Sequence, residues 1–366
     1  MLILCAAGAI YCAIALVCVV RFGARIQRRS VAQPGITILK PIHGLETELF
    51  ENLCSFCEQE YRRFEVLFGV RRRDDPAIAV VERVIARYPD RDLRLIVHEH
   101  GPTGNPKIAN LQGTIASASY DLFVIADADM RVTPDYLTCV AAEFDDARVG
   151  AATCLYAGDY RGGIASQLAA MQLNGHFAPS VLVATAGGPP RFCFGSTMAV
   201  RRDALEAIGG FAALAPHLAD DYMLGALVAS KGYRVALCPY VVRNVVFEPA
   251  LRALFDHELR WARTIRLMRP WGYALSVVTY PLPFALLWLL ISRGERAAWL
   301  TLLVVLALRC AIEAAARAAL RVRTPASWWL LPLRDCLSLA VWACGLGGSV
   351  VRWQDQTIVI RERGLL

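Results

Sequence analysis

Residues Asp121 to Tyr136 read DLFVIADADMRVTPDY. Leu122 to Ala126 is a short apolar run of strand character, and it stops abruptly at Asp127, Ala128 and Asp129. Carboxylates are costly to bury unless a cation or hydrogen-bond donors meet them. A buried strand that delivers two acids at its end therefore marks that end as a candidate site.

Upstream of this stretch, strand patterns alternate with helical ones. ITILKPIHG and EVLFGVR are β-rich runs closing on Pro, Gly or charge, and ELFENLCSFCEQEY between them is helical in period. AIAVVERVIARYP is an amphipathic helix ended by Pro89, LRLIVHE a strand, and PKIANLQGTIASAS a helix that leads into DLFVIAD. This β-α-β-α-β-α-β order predicts an α/β fold with an open, mostly parallel sheet covered by helices. Ligands of such sheets bind beyond the carboxyl ends of the strands, where Asp127 and Asp129 stand. A turn at Ala128 converges the two acids on one hard cation, Mg²⁺ or Mn²⁺, with positions left for phosphate oxygens. The plainer alternative makes Asp127 a cap and Asp129 a solvated loop residue.

The flanks have another character. The 366-residue chain is 56% hydrophobic and 19% charged, with mean hydropathy +0.40, so membrane and globular regions share it. Leu2 to Val20 is long enough to cross a bilayer, and Arg21, Arg25, Arg28 and Arg29 follow it. That layout differs from a cleaved signal peptide, and the positive-inside rule puts the following domain in the cytoplasm. Three further apolar segments lie at Tyr273–Ile291, Ala297–Leu320 and Trp328–Val351. Pro281 and Pro283 interrupt the first, which suits a re-entrant segment, and Arg334 and Asp335 in the last are expected to pair with each other. Formal charge is +7. Its arginines gather beside membrane segments, where anionic headgroups attract each by about 1 kcal/mol, and no aromatic-interleaved basic stripe points to nucleic acid.

The 12 cysteines are scattered, half of them in apolar membrane runs. Cys54 and Cys57 form a CxxC on a helical pattern with no second pair at zinc-finger distance, so free thiols in a reducing cytoplasm are expected.

Two further motifs carry possible chemistry. HLADDYMLGALVASKGYRV puts Asp220 and Asp221 at a helix start, where one acid serves as cap and the other is free to act as a general base toward a hydroxyl. FDHELRWARTIRLMRPWGY, Phe255 to Tyr273, is an amphipathic helix whose Arg263, Arg266 and Arg269 suit headgroup depth, while His257, Arg260 and Trp261 compete for a site role. Trp261 stands where H-E-x-x-H needs its second His, which sets a metalloprotease aside. The segment Ser166 to Gly188 is poor in charge, and reads either as a buried core helix or as one that dips into the membrane interface.

Taken together, LKPIHGLE, VRRRDDPAIAV, GNPKIANL, ADADMRV, RRDALEAIGGF, LADDYMLG, HELRWARTIR and RWQDQTIVI resemble the membrane-bound inverting glycosyltransferases of the ceramide glucosyltransferase type, nearly end to end. Within that type, HELRW and LADDYMLG are most similar to the hopanoid-biosynthesis-associated glycosyltransferases. The resemblance implies a GT-A nucleotide-sugar-binding domain over residues 30–270, an anchor over 1–22, a membrane region over 271–351 and a tail over 352–366. It implies a multi-pass protein of the bacterial inner membrane with the catalytic domain in the cytoplasm.

By the same resemblance, Asp75 stands beside the nucleoside, and Lys107 and Asn110 line the donor pocket. Asp127 and Asp129 hold Mg²⁺ or Mn²⁺ against the diphosphate, and Asp221 is the catalytic base. Arg260 and Trp261 end a (Q/R)xxRW motif, with Arg260 offsetting charge on the leaving diphosphate. His257 replaces the Gln or Arg that opens the motif, and Arg72 stands where the first acid of the nucleoside site is expected, leaving Asp74 and Asp75. The expected activity is inverting transfer of one sugar from a UDP-sugar to a lipid hydroxyl, favoured as N-acetylglucosamine onto a hopanoid polyol. Glucosylation of ceramide is the alternative. A processive polysaccharide synthase, whose motif opens with Gln, and a transporter or scaffold, which needs more spans, fit less well.

Overall fold

A computed structural model describes residues 1–30, 32–99, 104–353, 356–359 and 365. The chain builds two compact units from separate stretches: Ile26–Tyr156 with Gly188–Val245, and Met1–Arg25 with Ala157–Gly187 and Val246–Leu365.

The first unit holds the sheet. Its strands are β1 (Ile36–Ile42), β2 (Phe64–Val70), β3 (Leu93–Val97), β4 (Leu122–Ile125), β5 (Met130–Arg131), β6 (Val149–Arg161), β7 (Met198–Arg201) and β8 (Arg234–Phe247), and β6 and β8 carry the chain on into the second unit. They lie in the order β3-β2-β1-β4-β7-β6-β8-β5. The expected parallel pairing runs through β3, β2, β1 and β4, with Ile36 opposite both Phe64 and Leu122. Beyond β4 the pairing turns antiparallel, at β4 with β7, β7 with β6, and β8 with β5. Helices Leu49–Cys57, Ala77–Arg87 and Pro106–Ile115 follow the first three strands, as crossovers between parallel strands require.

Period-two alternation fixes which side chains face which layer. Ile36, Ile38, Val66, Phe68 and Val124 pack into one buried cluster, and Leu39, Leu67, Phe123 and Ile125 into the other. Both faces of the central strands are thus dry, and the runs read as continuously apolar. Cys54 and Cys57 are buried in the first cluster. All twelve cysteines are free thiols, and burial pushes the Cys57 thiol up to about 12, the reverse of a reactive cysteine.

The second unit is helical. Leu2–Gly23 and Arg296–Ala319 have 22 and 24 residues and mean hydropathies of 2.7 and 1.9, and both are long and apolar enough to cross a membrane. They pack together where Gly23 lies against Ala319, and Gly8 lies against Pro281 of helix Pro281–Ile291 so closely that a Cβ would clash. Pro270–Thr279 and Pro281–Ile291 form a pair bent by 58°, a broken span or re-entrant segment, at the point where Pro281 interrupts the pattern. The last expected span is different. Within Trp328–Val351 the α-helix is Leu331–Gly345, 15 residues, or about 22 Å at 1.5 Å per residue against the ~30 Å of a bilayer core.

Arg334 and Asp335 do not pair with each other, contrary to expectation. Neighbours on a helix diverge by about 100°, and each finds another partner. Arg334 makes a bidentate pair with Glu258 at 2.7 Å through both guanidinium nitrogens. Asp335 accepts from Arg309 Nε and Nη2 at 2.8 and 2.9 Å and lies 2.8 Å from His176 Nε2. The segment beginning at Ser166 forms the end of helix Ile164–Gln172, a π-turn at Leu173–Phe177 and helix Ala178–Ala184, largely buried inside this unit. Val350–Trp353 and Gln356–Val359 pair as an antiparallel hairpin. Apart from Leu365, the rest of the expected tail, including Arg361 and Arg363, lies outside the described residues.

Candidate active site

β4 ends where the chain turns over Ala128 and Asp129, and Met130 N donates to the Asp127 carbonyl at 3.3 Å. Two interactions fix that turn. Asp127 N donates to the Gly195 carbonyl at 3.2 Å, and Val245 N donates to the Asp129 carbonyl at 3.0 Å. From below, Lys40 Nζ donates to the Asp127 carbonyl at 2.6 Å and lies 3.9 Å from the centroid of the Phe56 ring. Lys40 is fully buried within β1, and burial lowers its pKa to about 8 although Asp127 and Asp129 oppose the shift.

The carboxylates gather around a second lysine. Lys107 Nζ lies 2.6 Å from Asp127 Oδ1 and 3.5 Å from Asp220 Oδ2. Burial works against its charge, but Asp127 and Asp220 outweigh burial and hold the ammonium protonated. Asn105 places it: its Oδ1 caps helix Pro106–Ile115 by accepting from Lys107 N and Ile108 N, and its Nδ2 donates to Asp220 Oδ1 at 3.1 Å.

Asp220 and Asp221 open helix Asp220–Ser230, where the helix N-terminus favours negative charge. Asp221 Oδ2 accepts from Gly195 N at 3.0 Å and Oδ1 from Tyr222 N at 2.7 Å. Burial, then the neighbouring Asp220, raises its carboxyl to about 6. Burial and Asp127 likewise raise Asp129 to about 6, against the Asn244 amide, which donates to Asp129 Oδ2 at 2.6 Å.

Gly195 joins the two acidic motifs. A Cβ there would stand 2.4 Å from Asp127 Oδ2 and 3.4 Å from Lys107 Nζ, so the backbone comes this close only because glycine has none. Glu46 opens to solvent at the rim yet is largely surrounded by protein. That desolvation, with Asp129 and Asp127 facing it, raises its carboxyl to about 8.

Five acids thus face two lysines. Among the described residues no three His, Cys, Asp or Glu side chains are arranged to enclose a metal by themselves. Asp127 and Asp129 supply hard oxygens in a site with surplus negative charge, and the Lys107 ammonium already stands as a cation at Asp127 Oδ1. That donor set fits a divalent ion that takes its remaining oxygens from a ligand.

Asp75 and Asn110 belong to the same unit but are tied to the scaffold. Asp75 accepts from Gly44 N at 3.0 and 3.1 Å and from Ala77 N at 2.9 Å. Asn110 Nδ2 donates to the Gly69 carbonyl at 2.8 Å, and its Oδ1 lies where a Cβ at Gly69 would go. Arg72 makes an exposed ion pair with Asp74. The sequence reading missed Lys40, Glu46, Gly195 and Asn244 as site residues. Only Lys40 had left a signal, as a lysine inside an apolar strand.

His257, Arg260 and Trp261 belong to the helical unit, on helix Leu251–Met268. Leu254, Glu258 and Ala262 form its buried face, and Glu258 is locked by Arg334. His257 Nδ1 lies 2.8 Å from Glu248 Oε1, and its ring meets Trp261 edge-on with centroids 4.4 Å apart. Arg263 donates to the Gly347 and Val350 carbonyls, and Arg266 to that of Gly348, so these two guanidiniums hold the turn after helix Leu331–Gly345. Arg269 is exposed.

The sequence profile of Glycosyl transferase family 21 matches residues 1–366. The chain belongs to this family. This family 21 chain is 27% identical over 240 residues to ceramide glucosyltransferase 3 of Caenorhabditis elegans, covering 65% of its own length and 52% of the relative's. It is 36% identical over 102 residues to the ceramide glucosyltransferase of Komagataella phaffii, covering 27% and 20%. The chain spans about half the length of the first of these curated relatives. Among solved structures it superposes on a mannosyltransferase from Pyrobaculum calidifontis, in complex with GDP-Man and Mn²⁺, with TM-score 0.58 and 20% identity over 94% of this chain and 97% of that one. The fold is of the mixed α/β, GT-A kind.

Proposed function

We propose that this family 21 chain is a membrane glycosyltransferase that moves one sugar from a UDP-sugar to a lipid hydroxyl, with inversion and with Mg²⁺ or Mn²⁺. The observation that carries the reading is the convergence of Asp127, Asp220 and Asp221 on Lys107, with Asp129 beside Asp127. Asp127 and Asp129 would hold the cation, which when bound supplies positive charge against the donor diphosphate. The Pyrobaculum calidifontis mannosyltransferase, solved with GDP-Man and Mn²⁺, supports this choice of ion.

Asp221 takes the proton of the acceptor hydroxyl as that oxygen attacks the anomeric carbon. Two backbone N–H groups orient its carboxylate, and a pKa of about 6 leaves it ionised at neutral pH but more basic than an ordinary aspartate. Lys107 and Asp127, with Asp75 and Asn110, serve the donor. Arg260 offsets charge on the leaving diphosphate, and His257 and Trp261 complete the machinery. An α-linked donor yields a β-glycoside in one displacement, so no protein nucleophile takes part.

The division into an anchor (1–22), a cytoplasmic catalytic domain (30–270), a membrane region (271–351) and a tail (352–366) goes with this reading, on the inner membrane of a bacterium. The favoured acceptor is a hopanoid polyol with UDP-N-acetylglucosamine, supported by His257 within HELRW and by LADDYMLG. Ceramide with UDP-glucose is the second reading, favoured by relatives named ceramide glucosyltransferase.

The test incubates membranes holding the full chain with Mn²⁺, a panel of UDP-sugars and either lipid, and identifies products by mass. A metal-dependent monoglycosylated lipid, absent with Asp221→Asn and Asp129→Ala, supports the mechanism, and the lipid that reacts names the acceptor. A folded, UDP-binding protein that glycosylates neither lipid overturns the proposal.

A further inference from the structure

We infer that Glu248 is a positioning residue for His257, and that the pair presents His257 Nε2 to a hydroxyl of the acceptor lipid. The inference rests on the reading of His257 as a site residue. His257 Nδ1 lies 2.8 Å from Glu248 Oε1. An ionised carboxylate only accepts, so Nδ1 carries the hydrogen of that bond. A neutral imidazole that donates at Nδ1 accepts at Nε2. The carboxylate thus chooses which ring nitrogen is left for a ligand, and in which role.

The arrangement is held on both sides. Buried Ser166 accepts from Glu248 N at 2.9 Å and donates to the Glu248 carbonyl at 3.4 Å, which fixes the backbone behind the carboxylate. One helical turn past His257, the Trp261 ring closes against the imidazole at 61° between planes. The Glu248 side chain is 11% exposed and that of His257 38% exposed, so the acid is covered and the imidazole side chain is in part accessible.

Of the residues that the resemblance places at this position, Arg offers N–H donors only and Gln both N–H donors and a carbonyl acceptor. A histidine that donates at Nδ1 to a carboxylate offers at Nε2 a lone pair alone. A lone pair is met by a hydrogen-bond donor, and in a polyol acceptor that donor is an O–H, which selects acceptors carrying a hydroxyl besides the one that is glycosylated. A site built to bond a hydroxyl discriminates strongly against the analogue that lacks it, because the site's polar atom is left unpaired.

The experiment uses the full chain in detergent with UDP-sugar, Mn²⁺, a polyhydroxylated lipid acceptor and its deoxy analogue. Glu248→Met, which keeps volume and removes the acceptor atom, is expected to lower kcat/KM for the polyol about tenfold. KM for the UDP-sugar stays within about twofold, and preference over the deoxy lipid is lost. Glu248→Gln, whose amide oxygen still accepts from Nδ1–H, restores activity to within about threefold of the parent. In a His257→Gln background, Glu248→Met costs less than about twofold, since no ring remains to orient.

Folding of each variant is checked by the rise in Tm that UDP with Mn²⁺ produces. Should Glu248→Met fail that check, Ser166→Ala reads the same loss of acceptor preference. An equal cost of Glu248→Met in both backgrounds makes Glu248 merely structural and overturns the inference. So does an unchanged Glu248→Met beside a His257→Ala that loses activity, an outcome that leaves the site reading intact. A fully active His257→Ala instead removes His257 from the site, a separate failure.

Discussion

Lys107 sets its ammonium 2.6 Å from Asp127 Oδ1 and 3.5 Å from Asp220 Oδ2, so one cation joins the acid at the end of β4 to the acid that opens helix Asp220–Ser230. Two motifs far apart in sequence thus share one cation.

Removing that cation leaves buried Asp220 and half-buried Asp127 without their shared countercharge. Lys107→Met is expected to destabilise the protein by about 3 kcal/mol, the cost typical of breaking a buried ion pair from one side. It should also lower kcat at least about 100-fold. Thermal unfolding with and without Mn²⁺ checks this: added metal should recover part of the lost Tm, because it replaces the missing positive charge. A variant as stable and active as the parent would show the lysine to be a bystander.

Asp221 sets opposite pH trends for activity and stability. A base of pKa about 6 must be ionised to act, so kcat/KM should fall about tenfold per unit below that value. For stability, the folded pKa lies above the unfolded value of about 3.9, so folding favours the protonated form. The contribution is full below the unfolded pKa and is lost as pH rises through about 6. Tm should therefore climb from pH 7.5 to pH 5 while activity declines, and Asp221→Asn should flatten the first trend and lower kcat by about 10²–10⁴. A Tm profile unmoved by the substitution would count against the assignment.

Gly195→Ala tests the close approach at the junction. The added Cβ falls 2.4 Å from Asp127 Oδ2, so backbone or carboxylate must shift. The expected result is an Mn²⁺ requirement raised about tenfold with about 1–3 kcal/mol of lost stability. Metal titration at saturating donor measures the first quantity.

In the helical unit, Arg334 and Glu258 predict an asymmetric double-mutant result. Arg334→Ala alone should cost about 3–5 kcal/mol by leaving Glu258 buried and unpaired, whereas Glu258→Leu with Arg334→Met together should recover most of it. Melting temperatures in detergent decide the matter; equal losses in both would mean that the charges are not desolvated.

Short β-rich runs, set between helical patterns, made β1 to β4 legible in the sequence, and the sudden acids after Ala126 marked the strand end. The antiparallel half was not legible, because β6, β7 and β8 come after the motif and their pairing depends on non-local register. The misses follow from that. Asn244 meets Asp129, and Gly195 meets Asp127 and Asp221, only once those strands are in place. Adjacent charges at Arg334 and Asp335 invited a local pairing, and helix geometry sends them to different neighbours.

The interleaving of the two units sets an order of events during synthesis. Helix Leu2–Gly23 precedes the sheet, but one of its packing partners, Arg296–Ala319, follows about 270 residues later, a wait of roughly 14–55 s at 5–20 residues per second. All eight strands of the sheet emerge in that interval. The sheet has time to close while the first helix still lacks that long partner, so a ribosome stalled before Arg296 would carry a finished sheet and an unfinished helical unit.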